Sequence, residues 1–194
     1  MIHLSVASPK GGMGKTLLTL NLAASFAVDG HRVCVVDHDP QGSSLVFGKI
    51  AEKAGLELPF VPTSARVSGF DICMHDHPPG VVEHYPSKIL IMPVVLDAPS
   101  GAIHRRGKTL LTEQGLHILE VVNRFRADRA EPRRLLAEHF KHCPVIHERT
   151  LFSNLYGQGR TVFTAKGIAY LDRAQAEILA VRHALDALME EVAL

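Results

Sequence analysis

Tryptophan is absent from the 194 residues, and cysteine occurs only at Cys34, Cys73 and Cys143. With an odd count, wide spacing and no Cys-x-x-Cys pair, neither a disulfide framework nor a zinc site is indicated. No apolar run reaches the ~18 residues of a membrane span. Met1-Ile2-His3-Leu4 offers neither a basic leader nor a long apolar one, so no secretory signal is read. A charge excess is also missing, because the formal net charge is +1. No internal repeat or low-complexity linker marks a second domain. What is present is ordinary for a globular chain: 46% hydrophobic and 21% charged residues, in a length that buries a core without staples. These features imply a soluble, cytoplasmic protein with one domain spanning residues 1–194.

Hydrophobic patterning alternates strands with helices. Residues 2–7 read as a strand running into a glycine-rich segment, and 17–28 as a helix stopped by Asp29-Gly30. Val33-Cys34-Val35-Val36 is continuously apolar, as suits a strand buried on both faces. A helix to about residue 54 follows, then a short strand near Phe60 and a buried strand over 70–74 closed by a turn at 76–80. Strands over 89–95, 116–123 and 144–147 alternate with helices over 100–114 and 132–139. Everything from about Lys166 onward reads as one long amphipathic helix. Such alternation implies βαβ crossovers, and hence an α/β fold with a mostly parallel twisted sheet and helices on both faces.

Lys10-Gly11-Gly12-Met13-Gly14-Lys15-Thr16 lies between a predicted strand and a predicted helix, the context a phosphate-binding loop requires. Glycines let successive N–H groups turn toward one phosphate cluster. The helix start adds its positive end. Lys15 has the reach for the β- and γ-phosphates of ATP, and the Thr16 hydroxyl suits Mg²⁺. The expected fold is therefore that of the P-loop NTPases. Pro9 stands where the standard loop has its first glycine, and Lys10 is an additional cation.

This deviant pattern resembles the ParA/MinD family of P-loop ATPases at every fixed position. The resemblance implies that Gly11, Gly12, Met13, Gly14, Lys15 and Thr16 bind ATP. It also implies that Lys10 reaches across a nucleotide-sandwich homodimer to the partner's ATP. Val35-Val36-Asp37-His38-Asp39-Pro40-Gln41-Gly42 is similar to the family's second motif. By that likeness Asp39 orients the attacking water and Asp37 stands near the Mg²⁺ shell. Residues 70–79, Phe70 to Pro79, resemble the Walker B strand, so Asp76 would hold Mg²⁺ through water. Val121-Val122-Asn123-Arg124 is similar to a strand whose final Asn meets adenine. His147-Glu148-Arg149 and residues 156–162 resemble a later loop before the last helix. The likeness spans nearly the whole chain and is motif-specific in 8–16, 35–42 and 70–79. It is nearest to short partition ATPases without an N-terminal DNA-binding domain, because the first strand begins at residue 2 and leaves no room for a helix-turn-helix.

His38, His75 and His77 stand where the family more often has apolar or small hydroxyl residues. They read as side chains filling polar space beside carboxylates rather than as a zinc or nickel site, since no helical ligand spacing is present. Their ordinary titration near neutrality predicts an ATPase rate that changes with pH. Residues 1–98 carry 7 Lys/Arg and 9 Asp/Glu, whereas residues 99–194 carry 14 and 11. The excess gathers in 105–134, where Arg105, Arg106, Lys108, Arg126, Arg129, Arg133 and Arg134 are candidates for sequence-independent DNA contacts.

The resemblance then implies a switch ATPase for plasmid or chromosome partition. Its ATP homodimer would bind non-specific DNA over the nucleoid, and an adaptor of ParB type would stimulate hydrolysis to ADP and phosphate. Two alternatives keep the ATPase but change what it moves. One positions a protein cargo over the nucleoid, and the other is MinD-like membrane cycling in cell division. The second fits poorly, because Asp186, Glu190 and Glu191 in the last helix would repel anionic lipid; no membrane partner is expected. A nitrogenase-type iron protein is excluded, as Cys34 and Cys73 fall within buried strands and Cys143 stands alone.

Overall fold

The computed structural model describes residues 1–65 and 67–193. Seven strands pair in one all-parallel sheet: β1 (Ile2–Ser8), β2 (Val33–Asp37), β3 (Phe60–Thr63), β4 (Ile72–Pro79), β5 (Ile89–Val94), β6 (His117–Phe125) and β7 (Val145–His147). Their spatial order is β3-β2-β4-β1-β5-β6-β7. The helices are α1 (Lys15–Val28), α2 (Ser43–Lys53), α3 (Ala98–Glu113), α4 (Ala130–His139), α5 (Thr150–Gly157) and α6 (Leu171–Ala193).

Strand periodicity of two divides the core between the sheet's faces. Leu4 and Val6 of β1, Met74 of β4 and Ile91 of β5 share one cluster with Phe26 of α1, Phe47 of α2, Leu155 of α5 and Ile178 of α6. Leu90 and Met92 point the other way and meet Leu111 of α3. Val94, Val122 and Phe125 pack against Leu135 and Leu136 of α4. On that second face, the β2–β4 half has no helix over it: Cys34, Val36 and Cys73 are packed by Val67 and Phe70, which precede β4. β1 lies where the strand order reverses, and the crevice beyond the carboxyl ends of the strands at such a point is where open α/β sheets bind ligands.

Three boundaries differ from the sequence reading. β4 does not close after Met74. It stays in register through Asp76, opposite Val6 of β1 and Asp37 of β2, and runs on to Pro79. Its later residues, His75, Asp76 and His77, are polar yet buried, so apolar patterning misses them. Residues 150–157 form a helix of two turns in a stretch where the sequence reading assigns no helix. The last helix begins at Leu171 rather than near Lys166, because Gly167 at φ 69° and Tyr170 at φ 61° hold the chain out of helical geometry.

Candidate nucleotide site

The loop after β1 turns on two left-handed glycines, Gly12 at φ 78° and Gly14 at φ 83°; Gly14 is the residue that precedes α1. A side chain at Gly14 is excluded by space as well, since a Cβ there would lie 2.3 Å from Asn123 Nδ2. Asn123, near the end of β6, donates to the Met13 carbonyl at 2.8 Å. Arg124 follows in the left-handed region, φ 54°, and donates to the Gly12 carbonyl at 3.2 Å. The loop is thus braced from β6 by two consecutive side chains. Asn123 was legible as a site residue; Arg124 was not, because its role depends on a backbone twist that its identity does not signal.

Lys15 is buried, 8% exposed. Burial lowers its pKa, while Asp76 and then Asp39 act in the opposite direction. Asp76 is 1% exposed, and its Oδ2 accepts from Ser44 Oγ at 2.8 Å. Its Oδ1 has no hydrogen-bond partner. Burial pushes the Asp76 carboxyl up to about 6, against the lowering effects of the Ser44 and Thr16 hydroxyls and of Lys15. An orphaned carboxylate oxygen beside a threonine hydroxyl fits a hard, oxygen-seeking cation such as Mg²⁺. Asp37 has a different place. Its oxygens accept from Asp39 N at 3.0 Å, Ser44 N at 2.8 Å and Leu45 N at 3.2 Å. It shapes the 38–42 loop and satisfies the start of α2, so its geometry speaks for loop structure rather than the metal shell expected from sequence. Asp39 Oδ1 accepts from Gln41 N at 2.9 Å at the rim of this loop.

The two lysines of the loop diverge. Lys10 Nζ is turned away to α3, where it donates to Ser100 Oγ at 3.0 Å and lies 4.0 Å from Asp97 Oδ1. Asp97 in turn caps α3 by accepting from Ser100 N at 2.7 Å. Pro9 packs on α3 at Gly107, where a Cβ would come within 2.0 Å of Pro9 Cγ. The proline in place of the first glycine is therefore a packing contact.

A cavity of about 580 Å³ opens beside the loop, lined by Gly14, Leu17, Asn123, Arg126, Glu148 and Phe152 among others. Arg126 pairs with Asp128 at 2.9 Å and Glu148 at 3.1 Å. Behind the cavity, Glu177 of α6 accepts from Arg149 Nη2 at 2.7 Å and bonds His147 Nδ1 at 2.7 Å. Burial raises the Glu177 carboxyl, but its bonds with Arg149 and His147 outweigh that and hold it below its ordinary value. Residues 10–16, Asp37, Asp39, Asp76 and Asn123, all singled out from sequence, lie at the carboxyl ends of β1, β2, β4 and β6. Arg124, Glu148, Phe152 and Ser44 are additions.

The family model for the CobQ/CobB/MinD/ParA nucleotide binding domain matches residues 4–162. The chain belongs to this family. Chromosome partitioning protein ParA of Caulobacter vibrioides is 48% identical over 40 residues, 21% of this chain and 15% of that protein. The first curated relatives of the chain, from Pseudomonas putida, align over 20% of their own length. Among solved structures, MinD of Pyrococcus horikoshii complexed with Mg-ADP superposes with a TM-score of 0.71 at 19% identity, covering 94% of this chain and 95% of that one. A plasmid partition protein from Borrelia burgdorferi gives 0.66 at 15% identity, covering 94% and 98%. At those identities the structures establish the shared fold. The matched residues include the loop, the carboxylate-bearing strands β2 and β4 and most of the cavity's lining.

Two other expectations change on this family scaffold. The basic residues of 105–134 are not equally free of ion pairs. Arg126 is drawn into the cavity wall, Lys108 is paired with Glu120 at 2.7 Å and Arg134 with Glu138 at 2.6 Å. Among the described residues, Arg105 and Arg106 on α3, Arg129 before α4 and Arg133 within it are exposed and make no ion pair. The histidines also behave differently from expectation. Burial, with their neighbours adding to it, pushes His75 and His77 down to about 3, and burial lowers His38. His75 and His77 therefore stay neutral between pH 6 and 8 and do not supply a rate change there.

Proposed function

We propose that this chain is an ATP-dependent dimerising ATPase that serves DNA partition. The observation that carries the reading is the separation of its two loop lysines. Lys15 is buried toward Asp39 and Asp76, while the Lys10 ammonium stands outside its own loop on Ser100. A cation so placed neutralises phosphate charge when a second protomer brings its own nucleotide to it, at the cost of one exchangeable hydrogen bond.

The loop N–H groups and Lys15 would hold the β- and γ-phosphates of ATP, with the base in the cavity near Asn123. Mg²⁺ would be held by Thr16 and, through water, by Asp76; when bound it supplies charge neutralisation on the phosphates. Asp39 would orient water for in-line attack, yielding ADP and phosphate. Intrinsic turnover would be slow, with a ParB-type adaptor bound at the centromere raising it. Dimerisation doubles the exposed cations Arg105, Arg106, Arg129 and Arg133, which supports salt-dependent binding to DNA of any sequence and a position over the nucleoid. No described helix is long and apolar enough to cross a membrane.

The test is fluorescence anisotropy of a labelled random-sequence duplex, titrated with protein plus ATP, ADP or no nucleotide at two salt concentrations. Tight binding with ATP alone, weakened by salt, is expected. No binding in any state overturns the DNA reading and directs attention to protein platforms.

A further inference from the structure

The half of the sheet's second face that no described helix covers carries an unusual group of side chains. His3 of β1 and Cys73 of β4 are paired in register, and His75 lies two residues further along β4 on the same face. Donor atoms of these three residues all lie within 4.8 Å of one another. His3 Nδ1 is 2.9 Å from His75 Nε2, and the rings stack with centroids 5.2 Å apart. Cys73 and His75 are buried, and His3 is half-buried.

We infer that His3, Cys73 and His75 form a binding site for a thiophilic divalent cation of the zinc class, with the remaining position open to solvent beside His3. One thiol and two imidazoles are borderline-soft ligands that suit Zn²⁺ or Co²⁺ and not the oxygen-seeking Mg²⁺ of the nucleotide site. Three protein ligands and one open position are the pattern of non-structural zinc sites. The two nitrogens already stand close to their ligating separation. A tetrahedral ion at about 2.0–2.1 Å from each nitrogen separates the two nitrogens by about 3.3 Å. Ring movement at half-buried His3 supplies the extra few tenths of an ångström. The Cys73 thiol gives its proton to solvent as the metal–sulfur bond forms, so each ion bound releases one proton.

The site has an outer partner that gives it consequence. With the ion on His75 Nε2, the other ring nitrogen is the N–H donor, and His75 Nδ1 already lies 2.8 Å from His38 Nε2. His38 sits between Asp37 and Asp39 in the loop at the nucleotide site. Occupancy therefore fixes a hydrogen bond into that loop. This consequence for turnover rests on the ATPase reading, whereas the binding of the ion does not.

The experiment is a Co²⁺ titration of untagged, chelator-treated protein, read by optical absorption, followed by competition with Zn²⁺. One equivalent showing tetrahedral visible bands and a thiolate-to-cobalt charge-transfer band is expected. Cys73→Ser and His3→Ala should each lose the charge-transfer band or weaken Zn²⁺ by at least about 100-fold, and His38→Gln by about 10–100-fold. Cys143→Ser should change nothing. An octahedral spectrum only, or binding that Cys73→Ser and His3→Ala leave intact, overturns the site. Should Cys73→Ser fail to fold, His3→Ala, at a half-buried strand start and checked by circular dichroism, decides the matter alone.

Discussion

Two lysines five residues apart divide the chemistry of the nucleotide loop. Lys15 is desolvated and faces Asp76 and Asp39, so its removal deletes a charged contact that water cannot replace. Lys15→Ala should weaken ATP binding by roughly 10- to 100-fold, measured by calorimetry or a labelled nucleotide. Lys10→Ala should leave ATP affinity within a factor of about two, because its ammonium lies on Ser100 outside the loop. Asp76 argues in the same terms. Its unpartnered Oδ1 marks it as the carboxylate with acceptor capacity to spare, whereas Asp37 is committed to three backbone N–H groups. Asp76→Asn should therefore abolish the gain in nucleotide affinity that Mg²⁺ brings while sparing Mg²⁺-free binding. The identities of these residues were legible because glycine, lysine and carboxylate spacing carries phosphate chemistry directly. What each carboxylate does was not, since Asp37 and Asp76 look alike until their hydrogen bonds are seen. The histidines teach the same lesson: their titration depends on burial that the sequence does not display.

At the scale of elements, most strands and helices of apolar periodicity were readable to within about two residues, the start of α6 excepted. The polar end of β4 and the short α5 were not, because a buried Asp between two histidines breaks the apolar signal and eight residues are too few to establish a helical period. The contact of α3 with the loop was equally hidden, although it gives Pro9 its meaning. Gly107→Ala should force Pro9 away from α3 and cost roughly 1–3 kcal/mol in urea denaturation. Gly101→Ala, on the same helix with only Arg105 Nη1 nearby at 3.6 Å, should instead stabilise by about 0.5–1 kcal/mol. Equal effects at both positions would contradict the packing account. α6 is tied to β7 and the segment before α5 by Glu177 with Arg149 and His147. Because the folded carboxyl sits below its ordinary 4.5, the bond contributes stability above that pH and loses it as pH falls through the lower folded value. Glu177→Gln should cost about 1.5–3 kcal/mol at pH 7, with the difference from the parent shrinking as acidification protonates the folded carboxyl, below its ordinary 4.5. A difference independent of pH would assign the effect to packing.

For the whole molecule, the sheet order brings the carboxyl ends of β1, β2, β4 and β6 together at one crevice, where the glycine loop, Asp76 and Asn123 meet. The fold class was legible from the alternation of strands and helices, and the family from the loop. Which of the basic residues are engaged in ion pairs was not, because pairs such as Lys108 with Glu120 depend on how α3 lies against β6. What a single protomer leaves undone is the use of Lys10, and that makes the dimer the centre of the account. Sedimentation velocity of Asp39→Ala with ATP, with ADP and without nucleotide, run beside the Lys10→Ala/Asp39→Ala double variant, tests it most directly. The account predicts a dimer for Asp39→Ala with ATP alone and a monomer for the double variant under every condition. An ATP-bound monomer for Asp39→Ala, or an equally stable dimer in the double variant, would contradict it.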